Sequence, residues 1–539
     1  MTKLIVITGG VYSGLGKGIA GASLGKLLTA SGYRVTMIKC DPYLHVDAGT
    51  MNPYSHGEVF VCEDGTETDL DLGHYERFLD TNMSATNSIT SGKIYLDVLN
   101  QERAGVFLWQ NVQVIPHITD AIKQKIYECS QWYDIIIAEI WGTVWDIESP
   151  AFYEAVRQLG KDLFAWSTAY IHVAPIVYIP HTGEEKTKPL QHSIRDLRQT
   201  WIYPDLILCR VQSKLSEATK LKLSTLCGIP HKYIFESVQA ETIYQVPLDF
   251  AQQGIHKAIA EKLGLDISHM NIDSWAQQVD HIINPKHEIV VWLAGKYTQL
   301  SDSDFSVMEA LKHAWAKHQA KITIVPLNPQ QYESSNRQEN LAQEIATHHI
   351  DAIVVPWWFG SRGTQGMIHI IQYARIHQIP RLGICYGLQL AVIEYARHVC
   401  GLHDANSTEI NPNTPYPVID IMPDQKHISD KGATMRLWSC EAHLLSGSIV
   451  AWLYADTVCH ERHRHRYEVN PDYHDLLRQH GLKLSGLTFD GRLVEFIEWT
   501  NHPYFVATQA HPELKSRLEY PSPLFDGLIQ ASLKLLAKS

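Results

Sequence analysis

Short apolar runs alternate with longer helix-favouring stretches through the first half of the chain. Leu4–Thr8, Arg34–Lys39, Tyr133–Ile140 and Leu206–Arg210 predict buried parallel strands. Lys17–Ala30, built of small and apolar residues, predicts a helix packed close to a sheet. This alternation implies a parallel sheet covered by helices, with ligands beyond the carboxyl ends of its strands. A second series starts at Glu288-Ile-Val-Val and continues near Lys321–Val325, Ala352–Pro356 and Arg381–Cys385. Residues 266–287 between the two series are more polar, have no strong period and predict a linker. The expectation is an α/β protein of two domains, 1–265 and 288–539, each a mostly parallel sheet flanked by helices. No internal repeat or low-complexity tract interrupts it, and a frayed tail is expected after about Leu536.

Composition narrows the class. With 45% hydrophobic and 19% charged residues the chain is ordinary for a globular protein. Its net charge of −12 argues against a general nucleic-acid binder while leaving room for a basic pocket for a small polyphosphate. The opening Met-Thr-Lys-Leu-Ile-Val-Ile-Thr-Gly-Gly is too short in its apolar run for a signal peptide. No stretch approaches the roughly 18 apolar residues of a membrane span. Nine Cys without regular spacing fit a reducing compartment. The expectation is a cytoplasmic protein with no nucleic-acid or membrane partner.

Candidate chemistry in the first half begins at Gly9-Gly-Val-Tyr-Ser-Gly-Leu-Gly-Lys-Gly18, between a strand and a helix. Backbone N–H groups and the helix N-terminus can hold phosphate there, with Lys17 adding a mobile charge. The usual phosphate-loop pattern places Ser or Thr after the Lys, and here Gly18 follows. Asp71 and Glu139, the latter at a strand end, are carboxylates able to share Mg²⁺ with phosphate oxygens and water. Lys186, Lys188 and Gln191 offer charges and an amide to a second phosphate or a base. Taken singly, each carboxylate reads rather as a solvated or capping group, and the lysines as a solvated pair.

Longer strings join these signals. Lys39-Cys-Asp-Pro-Tyr, His56-Gly-Glu-Val-Phe-Val, Glu67-Thr-Asp-Leu-Asp-Leu-Gly-His-Tyr-Glu-Arg-Phe, Val114-Ile-Pro-His-Ile-Thr and Lys186-Thr-Lys-Pro-Leu-Gln-His-Ser resemble the CTP synthases, in order and over nearly the whole chain. The resemblance implies a P-loop-like synthetase domain that uses ATP to phosphorylate the 4-oxygen of UTP and lets ammonia displace the phosphate. It places Ser13, Gly16 and Lys17 on the ATP loop and Lys39 near the transferred phosphate. Asp71 and Glu139 match the Mg²⁺ ligands, and Lys186, Lys188, Gln191 and Lys222 the UTP positions. Asp146 and Glu148 fall in the region contacting CTP as feedback inhibitor, and His56 where ammonia enters. Gly14 departs from the family's second Ser, which removes one hydroxyl contact. The same resemblance implies a homotetramer, activation by GTP and assembly into filaments. Phosphoryl transfer of this kind rests on positioning and charge neutralisation.

In the second half, Gly383-Ile-Cys-Tyr-Gly387 follows a strand and precedes a helical stretch. Its glycines permit a nucleophile elbow, and the helix N-terminus favours a thiolate. His511-Pro-Glu513 supplies a base and a carboxylate to orient it. These motifs resemble class I glutamine amidotransferases. In that family's terms Cys385 attacks the carboxamide of L-glutamine, His511 moves the proton and Glu513 holds the imidazole. The N–H groups of Tyr386 and Trp358 would form the oxyanion hole, while Gln389, Glu409 and Arg466 would hold the amino acid's polar ends. The basic run Arg462-His-Arg-His-Arg466 is read as structural and carboxylate-binding rather than as a nucleic-acid patch.

Tryptophan disturbs this picture. Of 14 Trp, ten stand where the family has Gly: Trp109, Trp132, Trp141, Trp145, Trp201, Trp292, Trp315, Trp357, Trp358 and Trp438. Trp275 stands where Trp is common, and Trp166, Trp452 and Trp499 have no assignment. Three explanations compete: tolerated Trp, a chain that has lost catalysis, or a gene that reads UGA as glycine. Overpacking costs roughly 1–3 kcal/mol per site, against a typical total stability of about 5–15 kcal/mol. Decay would also have removed Cys385, His511, Glu513, Lys17, Asp71 or Glu139, and all are present. The reading that accounts for both facts is glycine at the ten positions. Two other functions remain as alternatives. One is a non-catalytic paralogue kept for assembly or nucleotide sensing; the other is an ATP-dependent amidotransferase acting on a cofactor carboxylate.

Overall fold

In a computed structural model, residues 2–49, 57–162, 167–181, 183–295, 304–333, 338–357, 360–422, 425 and 435–538 are described. The chain divides into two compact units, Met1–Ala48 with Leu70–Val279, and Gly49–Asp69 with Asp280–Ser539. The polar stretch 266–287 contains a helix, Asp273–Ile283, and the division between the units falls within it.

The first unit is built on seven strands: β1 (Lys3–Gly9), β2 (Val35–Asp41), β3 (Ser88–Thr90), β4 (Ile135–Ile140), β5 (Thr168–Pro175), β6 (Leu206–Val211) and β7 (Ile234–Val238). They lie in the order β7-β6-β5-β1-β4-β2-β3, every pairing parallel. The three consecutive Ile residues 135–137 of β4 are fully buried, each contributing roughly 1.5–3 kcal/mol by leaving water. Two strand limits differ from the sequence reading by two residues, each for a local reason. Tyr133 closes a turn to the Ser130 carbonyl, so β4 starts after it. β2 runs beyond Lys39 because Lys39–Asp41 pair with Ser88–Thr90. Three helices bear on function: α1 (Lys17–Ala30), α2 (Asp71–Leu79) and α3 (Lys188–Gln199).

The second unit holds a nine-stranded sheet of β8 (His287–Ala294), β9 (Ala320–Leu327), β10 (Ala352–Val355), β11 (Arg381–Ile384), β12 (Ser439–Leu444), β13 (Val458–Arg462), β14 (Lys483–Leu487), β15 (Val494–Glu498) and β16 (Phe505–Thr508). Their order is β9-β8-β10-β11-β16-β15-β14-β12-β13. The four pairings from β9 to β16 are parallel, and the four from β16 to β13 are antiparallel. Strands β8 to β11 match the predicted ones; β16 and the antiparallel extension were not foreseen. Helix α4 (Tyr386–His398) leaves the end of β11 and is buried on nearly every side among Ile353, Val355, Met367 and Phe505. A small hairpin, Phe60–Val61 against Glu67–Thr68, also belongs to this unit.

Candidate active sites

At the carboxyl end of β1 the chain turns through Gly16, at φ 81°, into α1. Loop N–H groups and the helix N-terminus are therefore presented together. Lys17 is buried and its Nζ donates to the Gly142 carbonyl at 2.9 Å. Burial lowers its pKa below the ordinary lysine value, while Glu139 and Asp71 oppose the shift. Lys39, fully buried on β2, bonds Asp71 Oδ2 at 2.5 Å and lies 3.7 Å from Asp41. The Tyr75 hydroxyl donates to Glu139.

Gly18 explains why the usual Ser or Thr is missing. A Cβ there would lie 3.1 Å from Asp71 Oδ1 and 3.2 Å from Glu139 Oε2. Two carboxylates occupy the space that a side chain would need. Burial pushes Glu139 above the ordinary carboxylate range, and the neighbouring Asp71 adds to the rise. For Asp71 burial acts upward too, but Lys39 outweighs it and holds the group low. Among the described residues no three His, Cys, Asp or Glu side chains converge on one point. A carboxylate pair facing a phosphate loop nevertheless fits Mg²⁺, which keeps its other positions for phosphate oxygens and water.

Beyond this centre, Lys186 pairs with Glu184. Lys188 opens α3 and is exposed, and Gln191 donates to Thr187 Oγ1 at 2.8 Å. The hydrogen bond from Lys186 holds the Glu184 carboxyl below its usual range, with a further pull from exposed Lys222. Lys186 and Lys222 therefore act on one carboxylate. Asp146 and Glu148 lie in the exposed loop after β4, where Asp146 accepts from the Thr143 N–H and O–H at 2.6 and 2.7 Å. Ser13 is exposed on the glycine loop. His56 lies outside the described residues.

In the second unit, β11 ends at Ile384 and Cys385 follows at φ 51°, ψ −100°, before α4 begins. This is the strained geometry of a nucleophile elbow. The Cys385 N–H is held by the Thr508 carbonyl at 2.7 Å. Its thiol donates to the Arg464 carbonyl at 3.8 Å and accepts from Gln509 Nε2 at 3.5 Å. His511 Nδ1 lies 2.8 Å from Glu513 Oε1, and Nε2 has no hydrogen-bond partner among the described residues. Burial works against a charged imidazole here, yet Glu513 and nearby Cys385 raise its pKa to about 10. Thiol, imidazole and carboxylate are thus brought together, with Nε2 left open.

Around them, Gln389 Nε2 donates to the Tyr467 carbonyl at 2.9 Å and to Gln509 at 3.3 Å. Glu409 accepts from the Gly360 N–H at 3.0 Å, and Arg466 donates to Gln425 at 2.6 Å. Tyr386 is the first residue of α4, and its hydroxyl lies 2.8 Å from Thr364 Oγ1. Trp357 packs edge-on to His511 with ring centres 5.7 Å apart. Trp358 lies outside the described residues. Gln509 was missed by the sequence reading, although it stands two residues before His511 on the same strand exit.

The basic run at 462–466 separates into two sets. Arg462 and Arg464 bond Glu63 and Glu67. His463 and His465 meet Glu495 and Glu468, which also hold Arg436. The side chains from Arg462 to His465 are thus all engaged with carboxylates.

The family described as CTP synthase N-terminus matches residues 3–265, and class-I glutamine amidotransferase matches residues 299–531. The CTP synthase of Methanocaldococcus jannaschii is 52% identical over 531 residues, covering 98% of each chain. That of Caldanaerobacter subterraneus subsp. tengcongensis is 48% identical over 537 residues, covering 99% of each. This chain belongs to the CTP synthase family. It is an ATP-dependent ligase of pyrimidine biosynthesis that aminates UTP to CTP with ammonia released from glutamine. Among solved structures, a glutaminase domain of a Trypanosoma brucei CTPS with bound acivicin is 35% identical, covering 46% of this chain and 94% of its own, with a TM-score of 0.43. No helix among the described residues is long and apolar enough to cross a membrane.

Proposed function

We propose that the two constellations divide the CTP synthase reaction between them. The first, spanning 1–265, carries out phosphorylation and amination; the second, 288–539, hydrolyses glutamine. Ser13, Gly16 and Lys17 hold the ATP phosphates, and Lys39 neutralises the group in transfer. Asp71 and Glu139 hold Mg²⁺, which when bound draws charge from the phosphate oxygens. Lys186, Lys188, Gln191 and Lys222 bind UTP, and Asp146 with Glu148 contact CTP as inhibitor.

For glutamine hydrolysis, Cys385 attacks the carboxamide carbon while His511 passes a proton to the departing ammonia. Glu513 fixes the tautomer, and its 2.8 Å bond to Nδ1 directs Nε2 toward the thiol side. Tyr386 and position 358 donate N–H groups to the oxyanion, while Gln389, Glu409 and Arg466 hold the amino acid. The observation that carries this reading is the elbow conformation of Cys385 beside the His511–Glu513 pair. Family membership supports GTP as activator, a cytoplasmic homotetramer and filament assembly.

The test is Cys385→Ala, assayed with glutamine and, separately, with ammonia. Loss of glutamine-dependent CTP formation with ammonia-dependent formation retained is expected. Retained glutamine hydrolysis would overturn the assignment, and no CTP from wild-type protein with ammonia would favour the non-catalytic reading. Light scattering with and without nucleotides tests the tetramer, and glutamine turnover with and without GTP tests activation.

A further inference from the structure

The carbonyls that hold the Cys385 thiol and the backbone N–H of His511 both belong to residues gripped by a hairpin from the first part of the sequence. Arg464 offers its carbonyl to Cys385 Sγ at 3.8 Å, and its Nε bonds Glu67 Oε1 at 2.8 Å. Arg462 accepts the His511 N–H at 2.7 Å, while its side chain bonds Glu63 at 3.0 Å and the Val61 carbonyl at 3.0 Å. Glu67 and Arg464 are both buried, at 2% and 8% side-chain exposure. Charge-assisted bonds of this kind are short, directional and little screened.

We propose that the hairpin Phe60–Thr68 is a positioning element for glutamine hydrolysis, with Glu67 and Glu63 fixing Arg464 and Arg462 so that their carbonyls set Cys385 against His511. This rests on the assignment of Cys385 and His511 made above. A segment from the synthetase half of the sequence would then be required for turnover in the glutaminase half.

The test compares Glu67→Gln, Glu67→Ala and Arg464→Lys in the full-length protein. Glutaminase kcat should fall about tenfold in E67Q and further in E67A. The KM for glutamine should change little and ammonia-dependent CTP synthesis should be unchanged. Alkylation of Cys385 by iodoacetamide should shift in rate in the same order. Unchanged glutaminase turnover in E67A overturns the proposal, as does an equal loss of both activities, which would mark a purely structural pair. Failure of the Cys385 assignment itself would appear separately, as glutamine hydrolysis retained in C385A.

The backbone independently carries a second inference. Among the described residues, five of the twelve non-glycine residues with left-handed φ are tryptophans: Trp109 (67°), Trp132 (74°), Trp145 (76°), Trp201 (62°) and Trp438 (45°). All five are among the ten Trp at family glycine positions, and Trp makes up only 14 of 539 residues. Bulky side chains avoid this region, and glycine enters it freely.

Trp109, Trp132 and Trp145 each take the third place of a four-residue turn, closed by Gln110 to Phe107, Tyr133 to Ser130 and Asp146 to Thr143. At Trp132 the preceding Gln131 has φ −61° and ψ 137°, which makes a type II turn, whose third residue is glycine by preference. Trp201 follows the end of α3, its N–H bonding the Arg198 carbonyl, in the place of a helix-ending glycine. Trp109, Trp132 and Trp201 are 100%, 84% and 72% exposed, so burial of the indole does not favour them. The buried indole N–H groups of Trp292 and Trp315 have no partner among the described residues. Trp275, outside the set, donates to the Tyr244 carbonyl at 2.7 Å and is absent from the left-handed residues.

We infer that the ten positions are glycine in the protein its own cells make, encoded by UGA codons read as glycine. Purified native protein, digested and weighed, should give glycine masses for the peptides spanning 105–110, 131–134 and 198–203, and the gene should carry UGA at the ten positions. Tryptophan masses in those peptides, or UGG codons at most of the ten, overturn the inference.

Discussion

The imidazole Nε2 of His172 lies 2.7 Å from Ser193 Oγ, and its Nδ1 lies 2.9 Å from Thr8 Oγ1. Thr8 precedes the glycine loop and Ser193 is on α3, so one buried ring ties the proposed ATP loop to the proposed UTP helix. The fit is close, because a Cβ on Gly10 would fall 1.4 Å from Ser193 Oγ. Ser193→Ala leaves a ring nitrogen without its partner, at a cost of about 1–3 kcal/mol. The expected result is a lower urea midpoint and a higher KM for both nucleotides. A change in only one KM would argue against the tie.

The same ring makes a pH prediction. Burial lowers the His172 pKa to about 3, with Lys17 adding to the shift. The unfolded chain binds this proton near the ordinary histidine value, so acid favours unfolding. The contribution of neutral His172 is full above about pH 6.5 and is lost toward pH 3, at roughly 1.4 kcal/mol per unit. The stability gap between wild type and His172→Gln should therefore shrink from pH 7 to pH 4.5. Parallel denaturation curves at the two pH values would contradict it.

Gly18 supports a separate test. Its missing side chain leaves room for Asp71 and Glu139, and a Cβ would press within 3.1 and 3.2 Å of them. Gly18→Ser restores the usual phosphate-loop residue and displaces the pair by a few tenths of an ångström. Misplacement at this scale should lower ammonia-dependent CTP synthesis about tenfold, while glutamine hydrolysis persists. A fully active G18S enzyme would show that the carboxylates tolerate the displacement.

Glu513→Gln probes the glutaminase pair. Despite burial, Glu513 and Cys385 raise His511 to about pKa 10. The folded group binds its proton more tightly than the unfolded one, so the stabilisation is full below about pH 6.5 and disappears as pH rises through 10. E513Q should lose glutaminase kcat by about 10²–10⁴-fold, and its stability deficit should vanish in strong alkali. A deficit independent of pH would point to packing instead of charge.

How much of this was legible depended on sequence distance. The elbow at Cys385 and the strand ends at Gly9 and Glu139 are local, and a turn, a helix start and a β-branched run suffice to read them. Glu67 and Arg464 stand 397 residues apart, and no period or propensity joins them. The run 462–466 shows alternation, but which side each residue faces depends on Glu63, Glu67, Glu468 and Glu495 arriving from elsewhere. Gly18 looked like a defect in a phosphate loop until its two carboxylate neighbours were known. The left-handed Trp residues were visible only as misplaced types; their φ angles belong to the folded chain.

Trp132 offers the cleanest stability measurement. It lies at φ 74° and is 84% exposed, so its strain is not offset by packing. A left-handed conformation costs an L-residue roughly 1–2 kcal/mol, and glycine returns about 0.5–1 kcal/mol of that as added unfolded-state entropy. Trp132→Gly should therefore stabilise the chain by up to about 1.5 kcal/mol, read as a higher urea midpoint at unchanged slope. Trp132→Ala keeps the forbidden φ and should not stabilise it. If both variants stabilise equally, removal of an exposed indole is the cause and backbone strain is not. Trp275→Gly supplies the opposite sign, because that ring is 1% exposed and hydrogen-bonded. Its loss should cost about 3–5 kcal/mol.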